Sequence, residues 1–181
     1  MIELFTLMTE FIMKQNKLIG ALMLGGLLAT GCHVQMDTDS ADLTGSWRSD
    51  VVFTSGAYAD PTYKGVKFLY AFNPGGSMME SANYDAVPPV PPAYGVWKKT
   101  GRRQYVARYE FFITKPPGSF DELAKGGGWM PDGHGDLTET ITLSADGNAF
   151  ESQIKYELFD EQGKPIAGGG EAVSKAERLK F

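Results

Sequence analysis

Gln104–Phe112 (QYVARYEFF) and Ala149–Phe159 (AFESQIKYELF) decide the fold. In the first, Tyr105, Ala107, Tyr109 and Phe111 alternate with Val106, Arg108 and Glu110. In the second, Phe150, Ile154, Tyr156 and Leu158 share one parity, and Glu151, Gln153, Lys155 and Glu157 the other. Successive side chains of a strand point to opposite faces, so this pattern describes strands with one buried and one wet face. Working outward, the same period of two recurs at 45–53, 66–72, 77–84, 93–99, 136–143 and 168–179. The expectation is an all-β chain of eight strands.

The connections supply the topology. Asn73-Pro74-Gly75-Gly76, Thr100-Gly101-Arg102-Arg103 and Ser144-Ala145-Asp146-Gly147-Asn148 are hairpin turns by their residue types. Thr54–Gly65, Asp85–Pro92, Ile113–Gly135 and Asp160–Ala167 are longer. Long and short alternate strictly. An antiparallel up-and-down barrel collects all long loops at one end and all tight turns at the other, giving an open mouth and a closed floor. A two-sheet sandwich with Greek-key links competes, but it does not predict this alternation. Eight strands enclose an interior that side chains can fill, or that holds one small ligand.

Parity then assigns the inward side chains. Gly45, Trp47, Ser49, Val51 and Phe53 share a face on the first strand, and Ala172, Ser174, Ala176 and Arg178 share one on the last. If these two strands close the barrel as antiparallel neighbours, Arg178 stacks over Trp47 at the floor, a cation–π contact worth about 0.5–2 kcal/mol.

The remaining counts exclude several classes. The 17 Lys+Arg against 22 Asp+Glu give a net charge of −5, so no continuous basic face is available for nucleic acid. The single cysteine, Cys32, rules out an intramolecular disulfide framework and a cysteine-rich zinc site. No cofactor-binding motif is present, and no metal site is expected: His33 and His134 are the only histidines.

The first 31 residues read as an address. Leu18–Leu28 (LIGALMLGGLL) is apolar throughout and too short to span a bilayer, but it suits the core of a signal peptide, with Lys14 and Lys17 as its basic end. Met1–Ile12 carries Glu3 and Glu10 and no positive charge, so translation is expected to start at Met13. The run closes on Leu28-Ala29-Thr30-Gly31-Cys32, which resembles the lipobox of bacterial lipoproteins, with Ala29 where the family usually has leucine. That resemblance implies lipidation of Cys32, palmitate included, and a mature chain anchored in a membrane. With His33 after the cysteine rather than aspartate, it implies the periplasmic face of the outer membrane. The expected organisation is a signal peptide over 1–31, the lipidated cysteine and a polar tether over 32–44, and the barrel over 45–181. The ten polar residues His33–Asp42 reach only about 15–20 Å as a coil and lead in at the floor, so the mouth is expected to face away from the anchoring membrane.

Gly45-Ser46-Trp47 and Arg178 also match the Gly-x-Trp of the first strand and the arginine near the end of the last strand in lipocalins. Together with the strand order, the mature chain resembles the lipocalins and their wider calycin relatives. It lacks a Thr-Asp-Tyr-type motif between the middle strands, and the sequence ends at Phe181 where lipocalins continue into a helix. The resemblance implies a barrel that carries or sequesters a small apolar or amphipathic molecule.

Tyr58, Tyr63, Tyr84, Tyr94, Phe120, Trp129 and Met130 fall in the loops and rims of the expected mouth. Apolar walls with few polar groups suit a ring-bearing or acyl ligand, and the same residues would serve equally to plug the mouth. The candidate ligand contacts are Tyr58, Tyr84, Tyr105, Tyr109, Trp129 and Tyr156. In the 113–135 stretch, Ser119-Phe120-Asp121-Glu122 has capping-box spacing, so a short helix on the Gly126-Gly127-Gly128 hinge would form a lid. Pro88–Pro92 reads as a stiff wall of the mouth.

Catalytic candidates are few. Asp132-Gly133-His134-Gly135-Asp136 pairs an imidazole with carboxylates, or is simply a glycine-rich turn. Glu139 shares a strand face with Leu137, Ile141 and Leu143, which would place a carboxylate inside an apolar barrel, neutralised by Arg178 or Arg108 or held as a general acid or ligand anchor. Three readings follow: a binding barrel, a barrel enzyme of isomerase, cyclase or lyase type using Glu139 or His134, and a fully packed structural barrel.

Overall fold

Each period-two run becomes a strand. In the computed structural model, which describes residues 42–83, 91–125 and 128–181, the strands are β1 (Gly45–Phe53), β2 (Val66–Phe72), β3 (Ser77–Ala82), β4 (Ala93–Gly101), β5 (Gln104–Lys115), β6 (Met130–Leu143), β7 (Ala149–Phe159) and β8 (Pro165–Arg178). Each pairs antiparallel with its sequence neighbour, and β8 returns to β1, closing the barrel in up-and-down order. This topology is compatible with a lipocalin-like fold. Closure leaves no edge strand exposed to pair with another chain. The expectations for the leader, Cys32, Tyr84 and Pro88–Val90 lie outside the described residues.

Two connections are shorter than expected. β5 runs on to Lys115 and β6 begins at Met130, so the two form a long hairpin rather than flanking a 23-residue loop. The string around His134 is therefore strand, not a glycine-rich turn. Its glycines are accommodated because Gly135 lies under the Phe111 ring and Gly133 has a positive φ. β8 likewise starts at Pro165, ahead of the expected 168. Between β5 and β6 the capping box forms as expected. Ser119 Oγ accepts from the Glu122 amide at 3.2 Å, and Glu122 accepts from the Gly118 amide, starting the short helix α1 (Phe120–Ala124). No residue of α1 is buried.

Inward side chains fill the barrel. Trp47, Phe72, Met78, Tyr105, Ile141, Leu143 and Phe150 are at most 2 % exposed. The rings form a continuous column: Trp47–Phe150 at 5.0 Å between centroids, Phe150–Tyr70 at 5.9 Å and Tyr70–Tyr109 at 6.4 Å. Small inward residues (Ser49, Ala107, Ser152, Ala172, Ser174, Ala176) leave the room that these rings occupy.

The floor is sealed by the contact that strand parity predicts. Arg178 is paired with Trp47 across β8 and β1, and its guanidinium carbon stands 4.2 Å from the Trp47 ring centroid. Its Nε donates to the Gly147 carbonyl at 2.8 Å, and its two other nitrogens donate to the Thr44 and Asp42 carbonyls. Trp47 Nε1 donates to the Leu43 carbonyl, and Leu43, ahead of β1, is itself fully buried. Gly45 is required here: its φ is +131°, and a Cβ would stand 2.7 Å from Arg178 Nη1.

Candidate functional site

Halfway up the barrel the apolar column is interrupted by acids. Glu139 on β6 points inward and is fully buried. Neither arginine reaches it: Arg178 is committed to the floor, and Arg108 points outward to Asp136 at 2.6 Å. Tyrosines serve it instead. Tyr109 donates to Glu139 Oε2 at 2.9 Å, Tyr70 donates to Oε1 at 3.3 Å, and Ser152 lies beside them, itself bonded to Ser174 at 2.7 Å. The strands dictate this meeting. Tyr109 is opposite Leu137 on β6, one inward position from Glu139, and Tyr70 crosses the interior from β2.

A second acid faces the same centre. Glu80 on β3 is 6 % exposed, lies two residues from the mouth end of its strand, and is paired with Tyr70 and Ala93. Its Oε1 is buried and has no hydrogen-bond partner among the described residues. Sequence reasoning missed Glu80. Met78 and Met79 are adjacent and both apolar, so the parity of β3 was ambiguous, and only the pairing with Tyr70 resolves it.

Burial governs the electrostatics here. Loss of hydration pushes the Glu80 carboxyl up to about 8, reinforced by the negative field of Glu139. Burial raises Glu139 too, but hydrogen bonds from Ser152, Tyr109 and Tyr70 favour its charged form and hold it to about 6. The Tyr70 and Tyr109 phenols are raised well above their ordinary range, first by burial and then by Glu139. Near neutrality the centre thus holds one carboxylate, one protonated carboxyl and two neutral phenols. Among the described buried residues no lysine, arginine or histidine opposes them.

The other candidates are dispersed. Tyr105 lies near the floor against Trp97, at 5.7 Å between centroids. Tyr156 lies near the mouth, where its hydroxyl donates to the Ser55 carbonyl at 3.0 Å and accepts from the Tyr58 amide at 3.4 Å. Tyr58 packs on Tyr156, Phe53 and Tyr63, with centroids 5.2–5.5 Å apart, so the β1–β2 loop and its 3-10 turn (Ala57–Ala59) cover part of the mouth. Phe53, Tyr58, Tyr63, Phe111 and Ile113 are half-buried against the top of the core. Trp129 is half-buried, whereas Phe120 and Tyr94 are exposed, Tyr94 on the outer face of β4.

His134 also lies outside. Its ring stacks on Phe159 at 4.8 Å, and it stands near Glu110 and Asp136, with one potential ligand atom from each within 4.8 Å of the others. Among the described residues this is the set that could hold a metal ion, but Arg108 already supplies a cation to Asp136. A concavity of about 670 Å³ on the outer wall of β6–β8 is lined by Thr138, Thr140, Gln153, Lys155 and Glu157. These are the regular outward residues of a twisted sheet, with no converging set of partners.

No protein-family model matches the chain, and no curated protein is significantly similar to it.

Proposed function

We propose that this chain is an exported lipoprotein, anchored through Cys32, whose barrel binds a small amphipathic molecule entering at the mouth. The observation that carries this reading is the buried Glu80–Glu139 pair with an acceptor oxygen left open. Burying a polar group without a partner costs a few kcal/mol, and a buried charge costs more. A barrel whose only role was to hold its shape would be more stable with leucine or methionine at both positions. The half-buried aromatics at the mouth supply the apolar contact, since they still have exposed surface to lose. The floor, where the tether enters, would face the membrane, leaving the mouth toward the periplasm.

A second reading has its own observation. The buried hydrophobic residues are 0–8 % exposed, whereas an interior void the size of a ligand would leave its lining accessible. On this reading the barrel is a packed structural module that takes up no ligand.

Native mass spectrometry of the full chain, purified gently from its host in mild detergent, separates the two. A stoichiometric small molecule and an N-terminal mass matching acylated Cys32 are expected. A ligand-free mass, with no uptake of a fluorescent fatty-acid or aromatic probe, would establish the packed barrel. An unmodified N-terminus would remove the anchor.

A further inference from the structure

The ligand's polar end can be narrowed from the proton inventory of the centre, on the premise that the barrel binds a small molecule. Tyr70 and Tyr109 each have one hydroxyl proton, and both are donated to Glu139. Among the described residues nothing similar serves Glu80: its neighbours across the sheet are Tyr70, already committed, and Ala93, which has no polar side chain. The ionisable side chains among the described buried residues are two carboxyls and tyrosines, so the interior has acid groups and no base to match them. Glu80 is also the acid nearer the mouth end of its strand, and so the first that an entering head group would meet.

We propose that the molecule bound in the barrel carries a cationic nitrogen, a primary ammonium or a guanidinium-type group, which donates to Glu80 Oε1 while its apolar body lies against the half-buried mouth aromatics Phe53, Tyr58 and Phe111. A neutral donor satisfies the open oxygen but leaves two acids facing each other. A cation satisfies it and takes over the charge compensation that the Glu80 proton otherwise supplies. An anionic head group would add a third acid to the same low-dielectric space and is disfavoured.

Proton release accompanies this binding. The titratable groups that face Glu80 are Glu139 on β6, Tyr70 on β2 and Tyr109 on β5. The raised affinity of Glu80 for its proton must be overcome before it pairs with a cation. The Glu80 proton goes to buffer and the ammonium takes its place.

The test is isothermal titration of the mature full chain with three matched probes: 3-phenylpropan-1-amine, 3-phenylpropan-1-ol and 3-phenylpropanoate. The amine is expected to bind at least tenfold tighter than the alcohol, and the carboxylate weakest. The affinity of the amine should rise by up to about tenfold per pH unit from pH 6 to 8, with proton release visible as a dependence on buffer ionisation enthalpy. Glu80→Gln should remove the amine's advantage over the alcohol and its pH dependence. Glu80→Met, which keeps the length and lacks the acceptor, replaces it if the glutamine variant does not fold.

Binding of the alcohol or carboxylate as tight as the amine overturns the cation assignment and leaves the binding function standing, as does an amine advantage that survives in Glu80→Gln. Failure of all three probes, with an anionic or neutral ligand identified by native mass spectrometry, has the same meaning. Failure of all three with a ligand-free native protein overturns both.

Discussion

At the floor, Arg178 commits its guanidinium to the Gly147, Thr44 and Asp42 carbonyls and to the Trp47 ring, and Trp47 in turn donates to Leu43. At the centre, on β2, β3, β5 and β6, the two tyrosine protons both go to Glu139, and Glu80 Oε1 receives none among the described residues. Both regions mix aromatic rings with a charged side chain, the floor partly exposed and the centre buried. They differ in whether the polar inventory closes. The floor closes and locks β1, β8 and residues 42–44 ahead of β1 together. The centre does not, and a fold that keeps an unclosed polar set in its core holds back stability that apolar residues would have supplied.

The comparison can be broken most sharply at the floor. Trp47→Ala removes the ring against which both Arg178 and Phe150 pack and is expected to cost about 3–5 kcal/mol in urea unfolding. A loss under 1 kcal/mol would mean that the floor does not lock the barrel.

The next effect concerns pH at the centre. The folded-state pKa values of Glu80 (about 8) and Glu139 (about 6) lie above the unfolded carboxyl value of about 4.3. The folded chain therefore binds more protons than the unfolded chain across that window. Stability attributable to the pair is full below about pH 4.3 and falls as pH rises, until Glu139 has ionised near 6 and Glu80 near 8. The drop should amount to a few kcal/mol, with Glu80→Gln removing the part between pH 6 and 8. A Tm that is flat or rising over that interval, with the exposed carboxylates accounted for, contradicts the assignment.

Arg178→Met keeps much of the packing and deletes the donors. The Gly147, Thr44 and Asp42 carbonyls at the partly exposed floor regain water, so the cost should be about 1.5–3 kcal/mol, smaller than for Trp47→Ala. The smallest effect lies outside both regions. Ser119→Ala deletes the cap of an exposed five-residue helix and should change global stability by less than about 1 kcal/mol, while raising hydrogen exchange at the Glu122 amide. A larger loss would show that α1 is packed on the barrel more firmly than its exposure implies.

Legibility in the sequence followed the same divide. Trp47 and Arg178 were readable as partners because both sit in runs with clean alternation, and closure of an up-and-down barrel puts the end of β8 beside the start of β1. Glu139 was readable as inward because Leu137, Ile141 and Leu143 set the parity of β6. Its partners were not: arginines were expected, and tyrosines from β2 and β5 fill the role, because charge alone does not say which side chains reach across a barrel. His134 was misread because glycines at 133 and 135 suggest a turn. Here they relieve close approaches of Phe159 and Phe111 within a continuing strand.

The sequence by itself determined the eight strands, their order and the side of the sheet to which most residues point, because these depend on local period and turn chemistry. Only the tertiary structure decided that Glu80 and Glu139 share one centre, that Tyr70 and Tyr109 both serve the second acid, and that the rings fill the interior. Those facts depend on register and on distances across the barrel, which join residues as far apart as Tyr70 and Glu139 and leave no trace in the local pattern of either strand.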